Sequence, residues 1–283
     1  MTKKTTNKTN KENLLKTINE GVENALTADN YLNFLKDIAP YVKRYSVNNT
    51  ILIAIQNPRA KVLKTYGGWK KEGYQVKKGE RAIGILAPST FKVKPENEED
   101  EEKEVLYFKE LKVFDISQVE VYDQELASKS KLPEYKEPTK LIGNEAKDLY
   151  IKSVNTLKSE YGLDIEEEDI DGANGYYNFV NKYIRIEKKL EYNHKFKTMI
   201  HELAHHLYDV NETDKDLSYS EKELKAETTA YIVCYNLGID SSDYSFEYLA
   251  SWGKSSENVS EKFLKHYKDI TNCVNDILEK IGA

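Results

Sequence analysis

The chain has 283 residues, 39% hydrophobic and 32% charged, with a formal net charge of −6, the proportions of a soluble globular protein long enough for two domains. It holds no run of 18 apolar residues, and Met1 to Lys8 lack the apolar core of a secretory signal, which excludes a membrane-spanning helix and leads to the expectation of a cytoplasmic protein. Cys234 and Cys273 are isolated within helical patterns, so a disulfide framework is excluded and two buried thiols are expected.

The charge is polarised: +11 over residues 1–95, −6 over 96–104 and −11 over 105–283. A basic front on an acidic chain implies that the two parts meet different partners, the first polyanionic. Residues 1–12 are polar and rich in Lys, Asn and Thr, and disorder is expected there. Leu14, Leu15, Ile18, Val22, Ala25 and Leu26 recur at helical spacing, and Tyr31, Phe34, Leu35 and Ile38 continue the pattern to Pro40. Another helix is expected from Tyr41 to Ile55, ended by Asn57-Pro58.

From Val62 the pattern changes to short segments punctuated by glycine, with a strand over Ala82 to Pro88 paired to one over Val105 to Phe114. Lys94 to Glu104 between them is acidic and reads as a solvated hairpin loop, with mimicry of DNA as the alternative. Aromatic and basic residues interleave in this front part: Tyr41, Lys43, Arg44 and Tyr45, then Tyr66, Trp69, Lys70, Lys71, Tyr74, Lys77, Lys78 and Arg81. Single-stranded nucleic acid is held this way, cations tracking phosphates while rings stack on bases. A core of aromatics under ordinary surface lysines fits the same pattern.

Asp123 to Pro138 reads as a linker, rich in Ser, Lys and Glu and without sustained apolar periodicity. Beyond it Glu145 to Tyr161 is helical, with Ala146, Leu149, Tyr150, Val154 and Leu157 on one face, and Asp171 to Gly175 is a turn. Tyr176 to Ile186 reads as a hairpin, one strand of which is a candidate edge for pairing with an extended peptide. Tyr244 to Gly253 and Val259 to Ile281 are expected to be amphipathic helices.

The motif with the most chemistry is His201-Glu202-Leu203-Ala204-His205, H-E-x-x-H, flanked by Met199, Ile200 and Leu207. Residues four apart share a helix face, so both imidazoles can point at one metal, and Glu202 then lies beside it. A catalytic zinc takes three protein ligands and leaves one position open, with a neighbouring carboxylate as general base. His206 points about 100° away and is expected to be structural or to support the ligands. Position 211 is Asn and position 208 is Tyr, so the extended motif with a third His is absent.

The third ligand is therefore expected from the following helix, with Ser220 as N-cap and Glu223 at the capping-box position. Glu227, ahead of the small apolar stretch Ala230, Ile232 and Val233, is the expected ligand, because Glu223 is assigned to the cap. Tyr231, Tyr235 and Tyr248 are candidate donors to an oxyanion, and spacing selects none of them.

Arg44-Tyr45-Ser46-Val47-Asn48-Asn49, the string from Trp69 to Glu80, Ile85-Leu86-Ala87-Pro88 and Val113-Phe114-Asp115-Ile116-Ser117-Gln118 resemble the N-terminal domain of the ArdC-type antirestriction proteins of conjugative plasmids and other mobile elements. The resemblance continues through H-E-x-x-H, Lys225-Ala226-Glu227 and Tyr248-Leu249-Ala250-Ser251-Trp252, and departs at Val119, where Thr is expected. It implies an α+β chain with a single-stranded-DNA-binding domain over 13–122, a linker over 123–138 and a zincin-like metallopeptidase domain over 139–283. Lys43, Arg44, Tyr45, Asn48, Asn49, Trp69, Lys70, Lys71, Lys77, Lys78 and Arg81 are then the expected DNA contacts. The expected centre is Zn²⁺ on His201, His205 and Glu227 with Glu202 catalytic. The implied role is protecting DNA from host restriction, with single-stranded DNA and an unidentified protein substrate, host restriction components included, as partners. A DNA-binding antirestriction protein with a structural zinc and no essential peptidase is the alternative.

Overall fold

The computed structural model of the protein describes residues 2–25, 28–58, 60–93, 103–132, 139–140, 143–241 and 259–282. Most of the acidic run, the end of the linker and the helix expected over Tyr244 to Gly253, with Tyr248 and the Tyr248–Trp252 string, lie outside them. The fold is α+β and falls into two compact units, one of residues 1–22 and 48–135, the other of 23–47 and 136–283. Residues 23–47, placed by the sequence reading within the front domain, group with the second unit. Among the described residues no helix is long and apolar enough to cross a membrane.

In the first unit, α1 (Thr2–Ala25) includes the residues expected to be disordered and runs on through the buried Leu14. Leu14, Ile18 and Val22, each four apart, form its buried stripe. The helix α2 (Ala28–Ile38), which belongs to the second unit, follows, and the helix expected from Tyr41 does not form there. Pro40 sits in a single 3-10 turn, and α3 (Val47–Gln56) starts only at Val47. Gly21 lets α1 approach α3 closely, since a Cβ there would meet Ile55 Cδ1 at 2.0 Å.

After β1 (Leu63–Lys64) comes α4 (Tyr66–Lys71), capped by the Thr65 hydroxyl, which accepts from Gly68 N. The remaining elements of this unit are β2 (Tyr74–Val76), β3 (Ile83–Val93), β4 (Lys103–Asp115), β5 (Val119–Val121) and α5 (Gln124–Lys129). The last occupies the front of the expected linker. Strands β1, β4 and β3 form one antiparallel sheet in that order, and β2 pairs with β5.

Two side-chain amides of α3 close the outer edge of β3. Asn49 donates to Leu86 O and accepts from Leu86 N, both at 2.8 Å, and Gln56 does the same for Gly84 at 2.9 Å. Pro88 then stands on the same edge with no N–H to offer. The end of β4 is tied down by buried Asp115, whose carboxylate accepts from Lys61 N, Val62 N and Ser117 N, with Gln118 completing a capping box.

In the second unit, α2 belongs with the C-terminal helices through a hydrogen bond between the Tyr31 and Thr228 hydroxyls at 2.9 Å. β6 (Thr139–Lys140) precedes α6 (Lys147–Tyr161), which ends at Gly162 in the left-handed conformation, φ 64°. Strands β7 (Asp164–Glu168), β8 (Gly175–Asn178) and β9 (Tyr183–Glu187) form a sheet in the order β7-β9-β8, parallel for the first pair and antiparallel for the second. This leaves β8 as an edge. Helices α7 (Tyr192–Val210) and α8 (Tyr219–Asn236) follow, then β10 (Ile239–Asp240), parallel to β6, and α9 (Val259–Ile281).

Candidate metal centre

Helix α7 is enclosed on most sides: Phe196, Met199, Ile200, Leu203 and Ala204 have no exposed surface. A helix so buried brings polar side chains into its surroundings only where they have partners. His201 and His205 leave it one turn apart, their rings edge to face at 4.9 Å and their Nε2 atoms 3.2 Å apart. Glu223 on α8 faces both, one carboxylate oxygen 3.4 Å from His201 Nε2 and the other 3.3 Å from His205 Nε2.

Two donors on a tetrahedral zinc, at about 2.0–2.1 Å each, stand about 3.3 Å apart. The three separations match that spacing, and the donor set of two imidazoles and a carboxylate is one zinc takes at catalytic sites. Among the described residues, His201, His205 and Glu223 are the group whose ligand atoms lie close enough to share an ion.

Glu223 takes the place that the sequence reading gave to Glu227. Helix α8 starts at Tyr219, capped by Ser218, and its reciprocal partner is Glu221, not Ser220 with Glu223. The cap thus lies two residues earlier than expected, which leaves Glu223 free to project from the next turn. Glu227 sits on the other edge of the His201 ring, its Oε2 3.1 Å from Nδ1 and 2.6 Å from Lys197 Nζ. A carboxylate there holds a proton on Nδ1, so that once Nε2 gives up its own proton the lone pair faces Glu223 and His205.

The charges at the centre are strongly coupled. Burial works to lower the His201 pKa, but hydrogen bonds to Glu223 and Glu227 raise it to about 9. Burial alone would raise the Glu223 carboxyl; the two imidazoles outweigh it and hold it well below the usual carboxylate range. Glu202, next to His201, is pushed up by burial and accepts a hydrogen bond from the Tyr177 backbone in β8.

His206 is turned away from the centre, its Nδ1 3.1 Å from the Tyr177 hydroxyl, which donates to Asp209 at 2.9 Å. That network and Gly175 hold β8 against α7: a Cβ on Gly175 would lie 2.6 Å from Thr198 Cγ2 and 2.8 Å from Arg185 O. Cys234 and Cys273 are buried free thiols, as expected.

The expected DNA contacts divide into exposed and enclosed residues. Lys43, Arg44, Lys70, Lys71, Lys77, Lys78 and Arg81 are exposed, while Tyr45 and Asn48 are half-buried. Trp69 is not available to stack on a base: it is fully buried against Val62 and Val119, and its indole N–H donates to Phe114 O at 2.8 Å. Asn49 is spent on the β3 edge. The exposed rings near Lys70 are instead Tyr66, four residues earlier on α4, and Tyr122, whose hydroxyl donates to Lys70 O. Tyr122 carried no signal in the sequence, because it reaches α4 only through the β2–β5 pairing.

Residues 7–114 match the family model of the N-terminal domain of anti-restriction factor ArdC. The antirestriction ArdC protein of the R388 plasmid has the same fold over 94% of this chain and 97% of its own, with a TM-score of 0.57 and 19% identity in its metal-free crystal structure. The front part of the chain is ArdC-like. The Mn(II)-bound crystal structure of the R388 protein matches over the same shares at a TM-score of 0.52 and 20% identity. An uncharacterized protein of Bacillus anthracis is 24% identical over 84% of this chain, and the chain spans about half of that relative, 46% of its length. The ArdC likeness thus rests on sequence in the front part and on fold in the remainder.

Proposed function

We propose that the chain is an antirestriction protein of a mobile element, with a zinc-dependent peptidase centre in its second unit and a single-stranded-DNA-binding surface on its first. The observation that carries the peptidase reading is the convergence of His201, His205 and Glu223 on one point with Glu202 beside them. A purely structural ion has no use for that second carboxylate. A zinc ion held by the three residues supplies Lewis acidity, which polarises a scissile carbonyl and acidifies a water.

The chain's own groups account for the proton. Glu202, raised by burial toward the working range of a general base, accepts the proton of the attacking water and delivers it to the leaving amine nitrogen. Edge strand β8 lines the same place, since Tyr177 reaches Glu202 through its backbone. An extended peptide adding to that edge has its backbone held in register beside the base. The deciding experiment pairs metal analysis with peptide-library hydrolysis on wild type and Glu202→Gln. Equal zinc content with hydrolysis lost only in the variant supports the peptidase. Wild type with zinc and no hydrolysis of any peptide or protein leaves a structural metal.

For the DNA surface, exposed Lys70 and Lys71 on α4, with Tyr66 one turn from Lys70 and Tyr122 bonded to the same helix, supply the cations and ring faces that single strands use. Protection of incoming DNA in cells that restrict it, with and without Glu202→Gln, tells whether the two activities serve one role.

A further inference from the structure

Helix α8 carries two glutamates one turn apart, and both meet His201. Metal ions do not distinguish one carboxylate from another by chemistry, so something in the surroundings must decide which becomes the ligand. Lys197 stands one turn before His201 on α7, and Glu227 Oε2 serves both of them. The pair is buried, with 6% of the Lys197 and 11% of the Glu227 side-chain surface exposed. Glu227 Oε1 is buried without a hydrogen-bond partner among the described residues, so the carboxylate's position is fixed through Oε2.

Burying a lysine costs several kcal/mol before its partner offsets it, and an apolar side chain would fill the space without that penalty. We propose that Lys197 is a positioning residue that holds Glu227 on the Nδ1 edge of His201 and away from the metal. Glu223 is then the carboxylate ligand, and the centre keeps three protein donors with one position open. This rests on the metal reading given above. Without the ammonium, Glu227 is a buried anion one turn from a cation, and capture by that cation is its best compensation. The added carboxylate would then raise the ion's coordination above four and crowd the position that hydrolysis needs.

Cobalt(II) in place of zinc reports this directly, because its visible absorption is strong in four-coordinate sites and weak when coordination rises. The full chain is titrated with cobalt(II) as wild type, Lys197→Met, Lys197→Arg, Glu227→Gln and the double variant Lys197→Met with Glu227→Gln. Lys197→Met is expected to lose most of the absorption and Lys197→Arg to keep it. The double variant should match Glu227→Gln, since an amide carries no charge for the metal to capture. If Lys197→Met gives the wild-type spectrum and wild-type affinity against a competing chelator, Lys197 only packs and the inference fails. If Lys197→Met does not fold, the double variant, which removes both buried charges together, decides: a spectrum different from that of Glu227→Gln overturns the inference. A wild-type chain that takes up no cobalt overturns the metal reading itself and this inference with it.

Discussion

Metal uptake should displace a proton from His201. In the metal-free protein, burial opposes that proton, but Glu223 and Glu227 outweigh it and hold the imidazole pKa at about 9. Two pH units below that value, at pH 7, about 1% of molecules carry a neutral His201, so apparent affinity is about 100-fold weaker than above pH 9. Affinity should climb about tenfold per pH unit from 7 to 9, with close to one proton released per ion at pH 7. Competition against a chelator from pH 6.5 to 9.5 measures the slope, and calorimetry in two buffers of different protonation enthalpy counts the proton. A flat affinity profile with no proton release would refute the reasoning. The same shift acts on the metal-free fold. A histidine raised above its ordinary 6.5 stabilises fully below that pH and loses its contribution, about 3 kcal/mol at most, as pH rises through 9. Metal-free protein should therefore melt lower at pH 9.5 than at pH 6.5, and the metal should reverse the trend.

Glu223→Gln should abolish stoichiometric zinc binding, whereas Glu227→Gln should weaken it by about 10- to 100-fold, the usual effect of disturbing a group that orients a ligand; chelator competition separates them. Gly175→Ala puts a methyl 2.6 Å from Thr198 Cγ2, which forces β8 away from α7. It should cost about 100-fold in peptide hydrolysis while metal content stays at the wild-type level. Trp69→Ala should destabilise the first unit by about 3–5 kcal/mol by denaturant melt. Tyr66→Ala should leave stability unchanged and weaken binding of a labelled single strand by about 1–3 kcal/mol in fluorescence anisotropy.

The convergence of His201 and His205 was legible because it follows from helical spacing alone. The third member of the group was not, because the choice between Glu223 and Glu227 turned on where α8 begins. A serine at 218 or at 220 can cap, and only the reciprocal bond with Glu221 distinguishes them. The small apolar stretch after Glu227 pointed to it, yet the structure sets it on the Nδ1 edge of the His201 ring. In the front part, composition correctly suggested exposed lysines but gave Trp69 and Asn49 the wrong work. Both act over long sequence separations, on Phe114 and Leu86, and such pairings leave no local periodicity. Several strings that carry the ArdC likeness prove to be parts of the scaffold: Asn49, Trp69 and Asp115 each satisfy backbone groups of distant strands.

The interleaving of the two units has a consequence for inheritance. Residues 1–22 and 48–135 form one unit while 23–47 belong to the other, so the chain changes allegiance three times between its ends. A single recombination event that joined this front part to a different downstream gene would carry α2 away from Thr228, its hydrogen-bond partner on α8. An exchange that keeps this bond moves residues 23–47 and α8 together.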